Sequence, residues 1–148
     1  CLIDSPQFGV PDHLPNYEAA SSAPDLALRF PLAMISPPAR NFLNSSFVNV
    51  NSLRDIEGEP LLEISAADAA PRGIADGDTV RVFNQRGSYR CKARVSPRAR
   101  AGVVNGLGIW WRKLGLDGTN VNELTSQKLT DLGRAPVFYD CLVEVEKA

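Results

Sequence analysis

Residues 60–87 read Pro60-Leu61-Leu62-Glu63-Ile64-Ser65-Ala66-Ala67-Asp68-Ala69-Ala70-Pro71-Arg72-Gly73-Ile74-Ala75-Asp76-Gly77-Asp78-Thr79-Val80-Arg81-Val82-Phe83-Asn84-Gln85-Arg86-Gly87, and the fold is decided here. Leu61 to Ile64 is a short apolar run of strand length. Ser65 is a good helix N-cap, and Asp68 answers it from the first turn. Pro71 and Gly73 limit that helix to about two turns. Asp76-Gly77-Asp78 is a turn, with its two carboxylates as turn formers and not a catalytic pair. Thr79 to Phe83 alternates and is β-branched, so it is a strand, and Asn84 to Gly87 connects it to the next as a hairpin.

Downstream, Tyr89 to Val95 alternates strictly. Arg90, Lys92 and Arg94 share one face, and Tyr89, Cys91, Ala93 and Val95 the other. A further strand starts at Ala101-Gly102-Val103-Val104 and reaches Ile109-Trp110-Trp111. Its internal glycines suggest a bulge or a close approach by another backbone or a ligand. Of the two tryptophans, one is expected in the core and one at an interface. Asn120 to Ser126 is a loop or short helix, and Leu142 to Glu146 is the last strand. Upstream, Leu32 to Ile35 is a buried strand that Pro37-Pro38 ends, opening a polar loop from Ala39 to Ser52. Seven of eleven prolines lie in the first 38 residues, so residues 1–30 read as an extended arm and 31–148 as the folded domain. The sum is about six or seven short strands with one or two short helices, a barrel or sandwich and not a doubly wound sheet.

Composition removes several function classes. At 148 residues the chain is one domain, with or without an arm. No apolar run approaches the ~18 residues of a spanning helix, and no basic segment followed by an apolar one opens the chain, so neither membrane nor signal peptide is expected. The single His13 and the scattered Cys1, Cys91 and Cys141 build no triad, disulfide framework or CxxC knuckle. Cys91 and Cys141 read as small buried hydrophobes. No phosphate-binding glycine loop follows a strand. The net charge of -1 hides an asymmetry: residues 79–116 hold nine of the sixteen Lys and Arg and no Asp or Glu. That stretch is a solvated hairpin face or a docking surface. Nucleic acid is not expected, because aromatics are not interleaved with the basic residues.

Several segments in order resemble one family. The stretch 60–87, Arg98-Ala99-Arg100-Ala101-Gly102-Val103-Val104, and Gly118-Thr119-Asn120-Val121-Asn122-Glu123-Leu124-Thr125-Ser126 with Asp131 after it are similar to the C-terminal molybdopterin-dinucleotide-binding domain of the dimethyl sulfoxide reductase family. The arm segment Gly9 to Tyr17 resembles what precedes that domain. The resemblance covers about residues 30–147. It implies a double-psi β-barrel of about six strands with one or two short helices. It also implies bis(molybdopterin guanine dinucleotide) carrying molybdenum or tungsten, with the metal's protein ligand in an earlier domain. On this reading the chain is a piece of a larger oxidoreductase or dehydrogenase. It packs against preceding domains of the same subunit, serves a small-molecule substrate, and is inactive alone.

The residue chemistry suits that role. An Asn side chain offers an acceptor and two donors, matching a pterin edge. Asn120 and Asn122 supply this, with Thr125 adding a hydroxyl. In the first loop Ser36, Arg40, Asn44, Ser45 and Ser46 are the further candidates, Arg40 for a phosphate or carbonyl oxygen. Many members of the family carry His where this chain has Asn44, so a proton role tied to His is not carried over from the resemblance, while the pairing role is. The competing expectation is a free-standing β-barrel whose basic hairpin binds an acidic protein or nucleic acid.

Overall fold

A computed structural model describes residues 17–130, 133–139 and 141–148. The arm motif before Tyr17, with Cys1 and His13, and Asp131 lie outside the described residues. Six strands close into a barrel: β1 (Leu32–Ile35), β2 (Leu61–Ile64), β3 (Thr79–Phe83), β4 (Ser88–Val95), β5 (Val103–Leu107) and β6 (Cys141–Lys147). Their order around the barrel is β1-β5-β2-β4-β3-β6. β1 runs parallel to β5 and β2 parallel to β4; the other pairings are antiparallel. The fold is the double-psi β-barrel that the resemblance implies.

Alternation decides what fills the barrel. In β4, Tyr89, Cys91 and Ala93 point inward and are buried, while Arg90 and Arg94 are exposed. Leu62 and Ile64 of β2, Val80 and Val82 of β3, Met34 of β1, Val104 of β5 and Val143 and Val145 of β6 complete one core. Each buried aliphatic side chain of this size contributes about 1.5–3 kcal/mol. Gly106 stands where the barrel admits no side chain: a Cβ there would lie 2.8 Å from the Tyr89 hydroxyl oxygen. The glycine in β5 therefore makes room for the Tyr89 side chain, not for the backbone or ligand that its place in a strand suggests.

The connection after β2 forms as its caps dictate. Ser65 accepts from the Asp68 N–H, and its hydroxyl donates to the Asp68 carboxylate at 2.7 Å. The helix Ala66–Ala69 (α3 in chain order) continues as a 3₁₀ turn through Arg72, and Gly73 ends it. Asp78 accepts from Ala75 N–H and pairs with Lys147 at 2.9 Å. The backbone hydrogen bond first, then Lys147, holds its carboxyl below the usual range. Asp76 accepts from Val95 N–H at 2.9 Å. Both aspartates are spent on the turn.

Three local readings change. The segment expected to be wholly extended contains helix α1 (Pro24–Arg29). Pro24 occupies the first turn, where its missing N–H costs nothing, and Asp25 and Arg29 complement the helix dipole. The long polar loop ends in helix α2 (Asn51–Glu57). Leu53 packs this helix onto a satellite core of Ala39, Phe42, Val48 and Trp110. β5 stops at Leu107, short of the tryptophans, where Gly108 adopts φ 74°. None of the described helices is long and apolar enough to cross a membrane.

Cys91 and Cys141 are free and buried. Desolvation pushes their thiols from an ordinary value of 9.0 up to about 12 and about 11. The fold favours the neutral thiols, so their contribution to stability is complete below pH 9 and is lost as pH rises through those values. At pH 8 iodoacetamide is expected to leave both cysteines unmodified in the native chain and to label both in urea, as read by peptide mapping. Native labelling at the unfolded rate would contradict this burial.

Candidate functional site

Two loops meet at one rim of the barrel. The first follows β1. Its shape is fixed by Glu57, whose Oε1 accepts from both the backbone N–H and the side-chain amide of Asn41 at 2.6 and 2.7 Å. Phe42 packs edge-on against Trp110, with ring centroids 5.2 Å apart. Trp111 Nε1–H donates to the Ser45 carbonyl at 2.8 Å. Trp110 is thus the core tryptophan, and Trp111 is the partly exposed one that clamps the loop. Asn44 adopts φ 52°, a left-handed conformation that Asn tolerates.

The second loop is a 3₁₀ turn, Val121–Glu123, capped by Asn120. The Asn120 Oδ1 accepts from Asn122 N–H at 3.0 Å, and its Nδ2 donates to the Trp110 carbonyl at 2.9 Å. Thr125 Oγ1–H donates to the Asn122 carbonyl at 3.2 Å.

Between the loops lies a cleft of about 320 Å³, lined by Ser36, Asn44, Ile109, Asn122, Phe138 and Tyr139. This volume falls at the small end of ligand pockets. Three of the eight residues singled out in the sequence, Ser36, Asn44 and Asn122, face one another across it. Their side chains have no hydrogen-bond partner among the described residues, so their donors and acceptors are uncommitted. Ser45 and Ser46 follow Asn44 and are exposed, and Arg40, earlier in the same loop, is exposed too. Asn120 and Thr125 do not line the cleft; their polar atoms brace the loop that presents Asn122. Ile109, Phe138 and Tyr139 escaped the sequence reading. Phe138 and Tyr139, with centroids 4.6 Å apart, are both substantially exposed. Adjacent aromatics that enter no core were the available signal.

The basic stretch is partly answered by carboxylates elsewhere in the chain. Arg81 pairs with Glu146, Arg86 with Glu18, Arg94 with Glu63 and Arg112 with Glu123. Lys113 lies over the Trp111 ring at 4.9 Å. Four of its nine cations thus meet carboxylates contributed by residues outside the acid-free window. No cluster of three or more His, Cys, Asp or Glu able to hold a metal occurs among the described residues.

The described residues thus form a closed barrel that turns two Asn-bearing loops toward one cleft. Comparison with known proteins gives its family. Residues 32–142 match the molydopterin dinucleotide binding domain, and the chain belongs to that family. It is 34% identical over 148 residues to the dimethyl sulfoxide reductase DmsA of Escherichia coli, covering 96% of this chain and 18% of that protein. It is 39% identical over 98 residues to the dimethyl sulfoxide/trimethylamine N-oxide reductase of Cereibacter sphaeroides, covering 64% of this chain and 12% of that protein. Among solved structures, acetylene hydratase from Pelobacter acetylenicus superposes with a TM-score of 0.79 at 18% identity, over 94% of this chain and 21% of that one. That likeness shows the fold. The chain spans less than a fifth of the length of these curated relatives. It is a molybdopterin-binding part, similar to a segment of larger oxidoreductase subunits.

Proposed function

We propose that the cleft holds the pterin of a bis(molybdopterin guanine dinucleotide), and that the chain serves a larger molybdenum or tungsten oxidoreductase acting on a small molecule. The observation that carries this is the convergence on one cleft of Ser36, Asn44 and Asn122, three polar side chains from two separately braced loops with no hydrogen-bond partner among the described residues. The donor set fits the group. Two Asn amides match alternating donors and acceptors, the Ser36 hydroxyl adds either, and the Phe138 and Tyr139 rings offer flat apolar faces. Ser45, Ser46 and Arg40, exposed in the loop that carries Asn44, take oxygens of the dinucleotide on this reading. Asn120 and Thr125 act indirectly by holding Asn122.

When bound, the metal centre supplies the redox chemistry, and this domain binds and orients its organic ligand. The remaining domains of the subunit then supply the metal's protein ligand and the substrate channel. Residues 1–30 are the lead-in from those domains. The cations without a carboxylate partner among the described residues, Arg90, Arg98 and Arg100 among them, are available to that contact. The rival reading, a free-standing barrel acting through a basic hairpin, is weakened by the internal pairing of four of its cations.

The test uses the full-length enzyme. Asn122→Ala and Asn44→Gly, the latter chosen because glycine accepts the left-handed backbone, are each expected to speed cofactor loss by about 3- to 10-fold, the worth of one net hydrogen bond. The readout is metal and pterin retained per protein during dialysis. Retention equal to wild type in both variants would overturn the assignment of the cleft.

A further inference from the structure

The Asn84-Gln85-Arg86-Gly87 connection does more than reverse the chain between β3 and β4. A four-residue hairpin loop ordinarily spends its Asn side chain on its own backbone. Here Asn84 does that with only one end: its Oδ1 accepts from Arg86 N–H at 2.9 Å. Its buried Nδ2 crosses the barrel rim and donates to the Leu124 carbonyl at 3.0 Å and the Leu142 carbonyl at 3.2 Å. Arg86 Nε–H donates to the same Leu124 carbonyl at 2.7 Å. The Cys141 thiol donates to it as well, at 3.2 Å. One carbonyl of the second loop is therefore gripped from three directions.

The last residue of the hairpin, Gly87, shows the same closeness by a different observation. A Cβ at Gly87 would lie 3.1 Å from the Glu123 carbonyl oxygen and 3.4 Å from the Glu123 Cβ. Only glycine lets the two backbones meet without displacement. Arg86 is itself fixed at its far end, where Nη1 and Nη2 donate to the two oxygens of Glu18 at 2.6 and 2.8 Å. The fork cannot swing away from Leu124 without breaking a bidentate, mostly buried ion pair. Leu124 is two residues from Asn122, and its side chain is fully buried in the barrel core.

We infer that the Asn84–Gly87 hairpin is the seat that positions Asn122 in the cleft, with Arg86 as its principal positioning residue. This rests on the reading of the cleft as the cofactor site. Arg86 touches neither the cleft nor anything in it; it acts through the Leu124 carbonyl. The same geometry links the Glu18 segment to the site. A change in where Glu18 is held is transmitted by one guanidinium to the loop that carries Asn122.

The experiment uses the full-length subunit, with cofactor removed and with cofactor loaded. In the cofactor-free protein, hydrogen exchange is followed by mass spectrometry over residues 119–127. Arg86→Lys keeps the charge but loses the planar fork and the Nε–H bond. It is expected to raise exchange at residues 122–124 on the order of tenfold, the loss of a hydrogen bond from a charged donor, while β2 is unaffected. Gln85→Ala, at the exposed position of the same hairpin, is expected to change nothing. In the loaded protein, Arg86→Lys is expected to speed cofactor loss several-fold, and adding Asn122→Ala to it is expected to cost less than Asn122→Ala alone, because both act on one contact. Wild-type exchange at 122–124 in Arg86→Lys would overturn the seat, and additive effects on cofactor loss would overturn the positioning role. If Arg86→Lys does not fold, Gly87→Ala, which pushes on Glu123, carries the same measurements. Unchanged retention in both Asn122→Ala and Asn44→Gly would instead sink the cleft assignment, and the exchange result would still decide the seat.

Discussion

Glu18→Ala is expected to lower the stability of the chain by about 3 kcal/mol, the cost of stripping the partner from a mostly buried cation. The Glu18 side chain is 6% exposed and that of Arg86 22%. The hydrogen bond to Glu18 is the main cause that raises the Arg86 pKa against desolvation, so the guanidinium stays charged whatever its surroundings. Without the carboxylate it retains one carbonyl and a weak thiol contact. Arg81 and Glu146 provide the control: at 42% and 50% exposed their pair is worth about 0–1 kcal/mol, and Glu146→Ala is expected to fall in that range. Urea midpoints of the 148-residue chain at constant slope decide it. Equal costs for the two variants would show that Glu18 is not a structural partner. A large cost for Glu18→Ala also has a consequence for domain limits, because Glu18 precedes the family-matched segment 32–142. With Phe30 buried and α1 ordered on the barrel, the structural unit is then longer at its start than the family match.

The elements that were legible in the sequence are those whose signals are local. β1 and β2 occupy the short apolar runs, and β3 the alternating β-branched run, that flanking turn residues mark out. The Ser65 cap and the Asp76-Gly77-Asp78 turn form because their partners lie within three residues of them, apart from the strand contacts to Val95 and Lys147. α2 was not legible: Val50 offers no side-chain cap, and Leu53 alone of its residues packs inward, so neither a start signal nor a stripe exists. Closure of the barrel and its two parallel pairings depend on residues far apart in the chain, and they came from the resemblance, not from spacing. In the site, Asn44 and Asn122 were visible as amides in Pro- or Gly-bounded loops. The bracing role of Asn120 was not, because its partner Trp110 is ten residues away across a turn. The Arg86–Glu18 pair spans 68 residues, beyond any periodicity argument.

Leu124→Ala is expected to cost about 2–5 kcal/mol, and it is the change in which core packing and site geometry meet. The Leu124 side chain is 0% exposed and belongs to the same cluster as Leu62, Val82 and Val143. Truncation removes apolar contacts and leaves a cavity that the surrounding strands, fixed in a closed ladder, cannot collapse to fill. Its carbonyl keeps its three donors, so the hydrogen bonds of the seat are retained while the anchor beneath it is lost. Leu53→Ala makes the comparison. Leu53 is only partly buried against the satellite core, so its truncation is expected to cost less, about 1–2 kcal/mol. Urea denaturation of the three chains gives the difference directly. A cost for Leu124→Ala no greater than that for Leu53→Ala would mean that the second loop is held by its hydrogen bonds alone and not by its buried side chain. The expected order assigns the two loops different anchors. The loop bearing Asn44 rests on a small satellite core and on Glu57. The loop bearing Asn122 is bolted into the barrel itself, so damage to the barrel core reaches the cleft first through Asn122.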